Sequence, residues 1–417
     1  MLNQALRRQL PHGLADLFGE QAAARARVEA LLGETYTQWG YDRIIPPTFG
    51  YYTSLVTGAS NDLQQEMYRL FDRDGELLAL RPDMTVPTAR VVGTRLYDQP
   101  LPMRFFYVGN VFRYETPQAG RRREFSQAGI ELVGADTPEA DAEVIALACT
   151  ALRALGIERF RINLGQVAYL KAVLADVGVE NGELTDLETA IGRKNDVEIG
   201  RVVANLDLDA QVAAVVRALP HLYGGEDVLQ EAVRLAPNVA AREAIARLQR
   251  IYDLLRVQGM AEHILIDLGE VRSMAYYTGI TFQGYAEGLG FSVCRGGRYD
   301  NLLSSFGSDL PAVGFAMGLE RAMLISQPEG DLTPDVLLPA NGDPTCHEMA
   351  RRLRARGLRV EVDVCGRQDE RFTAYARERG AGRIVWPQGE GYVLQCGEER
   401  RTLSAEALLE EAATWAS

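Results

Sequence analysis

Lysine is almost missing from this chain: Lys171 and Lys194 are its only two among 44 Lys and Arg residues. No GxxxxGK[ST] loop can exist without a lysine in place, so a P-loop nucleotide site is excluded. Cysteine is sparse and odd in number, at Cys149, Cys294, Cys346, Cys365 and Cys396, with no CxxC pair. That pattern argues against a disulfide framework and predicts reduced, mostly buried thiols. The four histidines, His12, His221, His263 and His347, show neither HExxH nor Cys/His spacing, so no metal and no metal cofactor are expected. No apolar run reaches the ~20 residues that cross a bilayer. The first residues, MLNQALRRQLPHGLADLFGE, lack a signal peptide's apolar segment, which predicts a cytoplasmic protein. Positive charge is also in deficit. A net charge of -13 disfavours broad, sequence-independent attraction to nucleic acid or an anionic membrane, so neither is expected as a partner.

What is present is an ordinary globular composition, 47% hydrophobic and 24% charged, over 417 residues, enough for two or three domains. Apolar spacing predicts a helix from about Ala22 to Trp39, stopped by Gly40. Pro46 and Pro47 then enforce an extended segment. Strands are expected at Glu66 to Asp72 and Glu76 to Leu80, around a turn at Asp74-Gly75, and a helix over TVPTARVVGTRL. MRFFYVGNVFRYE and EFSQAGIELVG read as two strands flanking the loop TPQAGRRR. Thr137 and Pro138 open a helix to Leu155, and RFRINLG reads as a strand. From about residue 169 to 260 the texture turns helical and Ala/Leu/Val/Arg-rich, with a turn at Gly224-Gly225, and reads as an insertion. Strands resume at HILIDLG, YYTGITFQGY and SVCRGG, and AVGFAMGLERAMLI reads as a Gly-punctuated helix. The expected fold class is α+β: a mostly antiparallel sheet flanked by helices. Residues 1–326 form the core on this reading. QPEGDLTPD is a linker, and 335–417 alternate strand and helix as a small α/β domain.

Three separated stretches carry the polar side chains that bear chemistry. FRYETPQAGRRREFSQAGIE holds Arg113, Arg121, Arg122, Arg123, Gln127 and Glu131; EVRSMAYYTGITF holds Arg272, Tyr276 and Tyr277; AVGFAMGLER ends on Arg321. Gln127 and Glu131 are an even number apart on a strand and so share a face. Guanidinium forks suit a carboxylate or phosphate, while Glu and Tyr suit a polar ring. Blander readings stand beside these. A triple Arg is commonly a solvated loop, Asp83 and Thr85 are well placed as a helix cap, paired tyrosines commonly split between core and surface, and Arg321 near a helix C-terminus would favour the dipole.

Taken jointly, FRYExPQxGRxREFxQ resembles the second signature motif of class II histidyl-tRNA synthetases and GFAMGLER the third. RxxxYYTGxxF and GGRYD resemble their histidine-specific segments, and the tail from about Asp335 a shortened anticodon-binding domain. RPDMTVPTARV, REFSQAGIELVG, ALPHLYGGEDVL, IDLGEVR and GYAEGLGF are more similar to a non-synthetase branch, the regulatory subunits of ATP phosphoribosyltransferase. Departures from the synthetase pattern point the same way: Thr116 stands where that loop has Arg, Ser126 where it has His, and Ser273 and Ala275 where it has Gly and Asp.

The resemblance implies a class II synthetase-like core with a helical insertion and a histidine pocket. Asp83, Thr85 and Gln127 would receive the ammonium, Arg113 and Arg272 the carboxylate, and Glu131, Tyr277 and Tyr299 the imidazole, with Tyr276 a further residue of the histidine site. Arg121, Arg123 and Arg321 would be remnants of an ATP phosphate site. It further implies a non-catalytic subunit that pairs with a catalytic ATP phosphoribosyltransferase in histidine biosynthesis and takes part in feedback, needing no cofactor. A homodimer through the Tyr41 to Tyr51 region would sit within a hetero-oligomer. The alternative it leaves is a working histidyl-tRNA synthetase that activates histidine with ATP and charges tRNA.

Overall fold

Helix α1, Gly19–Gln38, forms because Val28, Leu32 and Tyr36 recur every four residues and bury on one stripe. It stops at Gly40, whose φ of +80° lets the Gly40 and Tyr41 N–H groups return to the Thr37 and Tyr36 carbonyls. The computed structural model describes residues 9–115, 122–175, 177, 181–206, 208–271, 276–326, 333–339 and 344–415. The chain divides into two compact units, Met1–Glu329 and Gly330–Ser417.

The first unit is organised on a nine-stranded sheet. In chain order its strands are β1 (Asp42–Arg43), β2 (Met103–Phe112), β3 (Glu124–Val133), β4 (Phe160–Gln166), β5 (Tyr223–Gly224), β6 (Ile264–Asp267), β7 (Ile280–Ala286), β8 (Ser292–Arg298) and β9 (Ala312–Gly318). Across the sheet they run β1-β2-β3-β9-β8-β7-β4-β6-β5. Only β1 with β2 and β4 with β6 pair in parallel; the other neighbours are antiparallel. A separate three-stranded sheet joins Phe49–Tyr51 and Arg69–Phe71 to the two sides of Leu77–Leu80.

Period-two alternation decides the faces of the central strands. Ala128, Ile130 and Leu132 of β3, with Val313, Phe315 and Met317 of β9, turn toward α1 and helix α3, Pro138–Ala154, and fill the main core with them. Thr137 caps α3 by accepting the Ala140 N–H at 3.2 Å, with Pro138 in its first turn. Val167–Val173, Asn181–Gly192, Asp196–Asn205, Ala210–Ala218, Asp227–Leu235 and α4 (Val239–Val257) are the helices of the expected insertion. Their Leu187, Val216 and Leu248 join the same core. The Gly224-Gly225 turn is instead entered through β5, a two-residue strand at the sheet's edge.

One expected element is corrected. The segment from Ala312 to Ile325 is not a single helix: its first half is β9, between β3 and β8, and only Leu319–Ser326 is helical, α5. Its residues alternate large and small about a period of two, and Gly314 and Gly318 weaken a helix. Arg321 therefore lies in the first turn of α5, where the helix dipole disfavours a cation, and the dipole reading of that residue fails.

The second unit holds Val360–Asp363, Val336–Pro339, Ile384–Gln388, Gly391–Cys396 and Glu399–Leu403 side by side in one sheet. The first three pair in parallel and the last two add an antiparallel hairpin. Helices Pro344–Arg354, Asp369–Glu378 and Ala405–Ala412 supply its own cores.

Candidate functional site

The face of the nine-stranded sheet away from α1 and α3 floors a cavity of about 620 Å³. Asp83, Thr85, Arg113, Gln127, Glu131, Tyr276, Tyr277, Tyr299 and Arg321 all line it. Gln127 and Glu131 rise from β3 on the same side of the pleat. Asp83 and Thr85 come from the turn into helix α2, Thr85–Arg95. Arg113 follows the last residue of β2, and Tyr276 and Tyr277 precede β7. Arg121 and Arg272 lie outside the described residues. Arg123 is not brought into the cavity: its guanidinium stacks 3.9 Å from the Tyr114 ring centroid and donates to the Glu115 carbonyl at 3.3 Å.

Glycines make room for the acid at the centre. Gly314 of β9 stands directly beside Glu131 in the register, and a methyl group there would overlap the Glu131 carboxylate and the Ile130 carbonyl. Across the next pair, a Cβ on Gly297 would lie 2.7 Å from the Tyr277 ring. Glu131 is buried and accepts from the Tyr299 hydroxyl and, at 3.1 Å, from the Tyr107 hydroxyl. Burial pushes its carboxyl up to about 7, while hydrogen bonds from Tyr299, Thr85 and Tyr107 pull it back and Asp83 raises it further. Asp83 is likewise raised by burial, against the N–H groups of Val86 and Thr85 and the charge of Arg113. Its Oδ1 accepts the Val86 N–H at 3.1 Å from the position before Met84, which caps α2, and its side chain also lines the cavity.

The aromatic wall is ordered by contact. Tyr276 stacks on Tyr299 at 5.4 Å and meets Tyr277 edge-on at 5.0 Å. Burial pushes the Tyr277 hydroxyl up to about 12 and holds Tyr276 and Tyr299 well above the usual phenol range, so all three act as neutral donors. Gln127 is fixed by the Met84 N–H, which its Oε1 accepts at 2.9 Å. One lone pair of that oxygen is thus occupied and its amide donors are turned the other way.

The guanidinium groups gather away from Glu131. Arg113 donates to the Pro82 carbonyl at 2.8 Å, lies 3.7 Å from Glu115 and rests over the Phe125 ring. Arg321 donates to the Ser292 carbonyl at 3.1 Å and lies over Phe291. Sequence reasoning missed Tyr107 and Arg295, yet the alternation carried a signal for both. Tyr107 is six residues from Arg113 and Arg295 four from Tyr299, even spacings that put each pair on one face. Ser126, singled out as a departure from the synthetase pattern, faces away from the cavity, where its hydroxyl meets Asn110 and Arg25. Among the described residues no cluster of His, Cys, Asp and Glu is arranged to hold a metal.

The arrangement presents a buried acid, Glu131, among phenols at one end, guanidinium groups away from it, and the half-buried Asp83 within reach of the Arg113 charge. It suits a small zwitterion whose cationic or ring-donor end enters first. A family model described as histidyl-tRNA synthetase matches residues 13–322. The ATP phosphoribosyltransferase regulatory subunit of Moorella thermoacetica is 41% identical over 377 residues, 89% of this chain and 96% of the relative. That of Symbiobacterium thermophilum is 40% identical over 396 residues, 93% of this chain and 98% of its own. A solved structure described as an ATP phosphoribosyltransferase regulatory subunit/histidyl-tRNA synthetase from Bacillus halodurans superposes with a TM-score of 0.80 at 32% identity, over 92% of this chain and 98% of that one.

Proposed function

The chain belongs to the family of ATP phosphoribosyltransferase regulatory subunits, built on a histidyl-tRNA synthetase-like core, and on that footing we propose that it activates a short catalytic ATP phosphoribosyltransferase without doing chemistry itself. It acts at the first step of histidine biosynthesis, in the cytoplasm, as a homodimer within a hetero-oligomer. Histidine bound in the β3/β9 cavity is the feedback signal. The observation that carries the ligand assignment is the buried Glu131, cradled over Gly314 and held by Tyr299 and Tyr107, opposite a guanidinium end. Asp83 and Thr85 receive the ammonium, Glu131 and the tyrosines the ring, and Arg113 and Arg272 the carboxylate. Feedback requires that histidine bind one conformation of the complex better than the other, since equal affinity shifts nothing.

Mixing tests the function. Phosphoribosyl transfer from phosphoribosyl pyrophosphate to ATP by a short catalytic subunit is expected to switch on when this chain is added and to fall again with histidine. A rate untouched by the addition would dismiss the activating role. A second reading, a working histidyl-tRNA synthetase, is favoured by Arg113 and Arg321, which the resemblance sets on ATP phosphates and which both line the cavity. Histidine-dependent pyrophosphate exchange by the purified chain decides for that reading.

A further inference from the structure

β8 is an interior strand, paired with β7 on one side and β9 on the other, and six of its seven residues are buried. The exception is Arg295, exposed in the middle of the strand because it opens into the cavity. Its row of the sheet is otherwise free of charge: Gly129 of β3 and Ala316 of β9 lie on one side of it and Gln283 of β7 on the other. Among the described residues its one hydrogen bond runs from Nε to Ser292 Oγ at 2.8 Å, and no carboxylate pairs with it. That bond fixes the root of the guanidinium and leaves both terminal nitrogens available. Its field reaches Tyr277, whose hydroxyl it draws down against burial.

Register sets the distance to the acid. Glu131, Gly314 and Gly297 form one row across β3, β9 and β8, and Arg295 stands in the next row, two residues along β8. At ~3.4 Å per residue along a strand, adjacent rows are about 7 Å apart. That matches the span of a small amino acid from side-chain ring to carboxylate. Ala316 adds only a methyl group to the floor between the two groups, while the Tyr107 ring fills the place beside Gly129. The other cavity guanidiniums are tied more closely, Arg113 to Pro82 and Glu115, Arg321 to the Ser292 carbonyl.

We infer that Arg295 receives the carboxylate of the amino acid whose ring meets Glu131, and so makes the cavity selective for the acid over its alcohol. The inference rests on the histidine reading above. Its physical basis is a guanidinium fork held ready at the anionic end, where a charge-assisted, two-pronged bond forms only if the ligand carries an oxyanion.

Calorimetric titration of the full chain with L-histidine and with L-histidinol, which keeps ring and amine but lacks the carboxylate, tests it. Arg295→Ala is expected to weaken histidine binding about ten- to a hundred-fold, the worth of a hydrogen bond to a charged group. Histidinol affinity should stay within about twofold, which also reports that the variant is folded. Arg295→Lys, keeping the charge without the fork, should fall between. Equal loss for both ligands, or no loss for either, overturns the assignment while leaving the histidine pocket in place. Wild-type protein that binds neither ligand overturns the pocket reading and this inference with it. Unchanged histidine affinity with loss of pyrophosphate binding in Arg295→Ala assigns the residue to phosphate and overturns the carboxylate role.

Discussion

Glu131 stands out among the side chains because its ionisation falls where a histidine ring also titrates. Burial raises it to about 7 in the ligand-free protein, and a free imidazole titrates near ~6.5. The groups around it are the hydroxyls of Tyr107, Tyr299 and Thr85, the carboxyl of Asp83, and the Tyr276 and Tyr277 rings. None of these carries positive charge. The complex is therefore best with one proton shared between the Glu131 carboxylate and the ring. Below both values the separated partners carry two protons and binding releases one, so affinity climbs with pH; above both they carry none and binding takes one up, so affinity falls. A bell is expected with its maximum between about 6.5 and 7 and flanks on the order of tenfold per pH unit. Glu131→Gln leaves a single titrating partner and should turn the bell into one sigmoidal step, read by calorimetry across the range. For the free protein the sign is that of a raised acid. The stability Glu131 contributes is complete below its unfolded value and lost as pH rises through about 7.

Elements bring these side chains together, and β9 does most of that work. Because Gly314 sits between Glu131 and Gly297, the carboxylate lies against bare backbone. Gly314→Ala is expected to push the carboxyl aside, to abolish measurable histidine binding, and to lower stability by about 1–3 kcal/mol through overpacking. Chemical denaturation reads the stability, and wild-type histidine affinity in that variant would show the cradle to be dispensable. β9 is also where the sequence misleads. Its glycines and the helix that follows blur into one helical pattern, whereas β2 declares itself through its run of aromatic and β-branched residues and α3 through Thr137 and Pro138. Most of the cavity lining is legible as motifs, but Arg295 in the lining, and Tyr107 buried against Glu131, needed the sheet register to be placed. The hairpin Gly391–Cys396 with Glu399–Leu403 was missed because its outer strand is almost wholly exposed and shows no buried alternation. The network joining Arg298, Asp141 and Arg247 shows the same limit. Asp141 is fully buried, accepting from Arg298 on β8 and Arg247 on α4, and no local pattern links residues more than a hundred positions apart.

For the whole molecule, a net charge of -13 means that two copies approaching each other repel. The proposed homodimer would draw its attraction from apolar surface, and the Tyr41 to Tyr51 segment offers it. Ile45 is 77% exposed, Phe49 55% and Tyr51 58%, and Leu70, which the register puts on the same face of the three-stranded sheet as Phe49 and Tyr51, is 38% exposed. Large apolar side chains clustered at the surface mark contact sites more often than chance exposure does. Charge and patch together predict an unusual salt response. Raising ionic strength screens the repulsion between acidic copies and leaves apolar burial intact, so the dimer should tighten as salt is added. Phe49→Glu adds one more negative charge inside the contact and removes an aromatic anchor, and should yield monomer at concentrations where the wild type is dimeric. Sedimentation equilibrium at low and high salt reads both effects. A dimer that loosens with salt and survives Phe49→Glu would be held by ion pairs elsewhere on the surface, and the apolar segment would then be free for the catalytic partner instead.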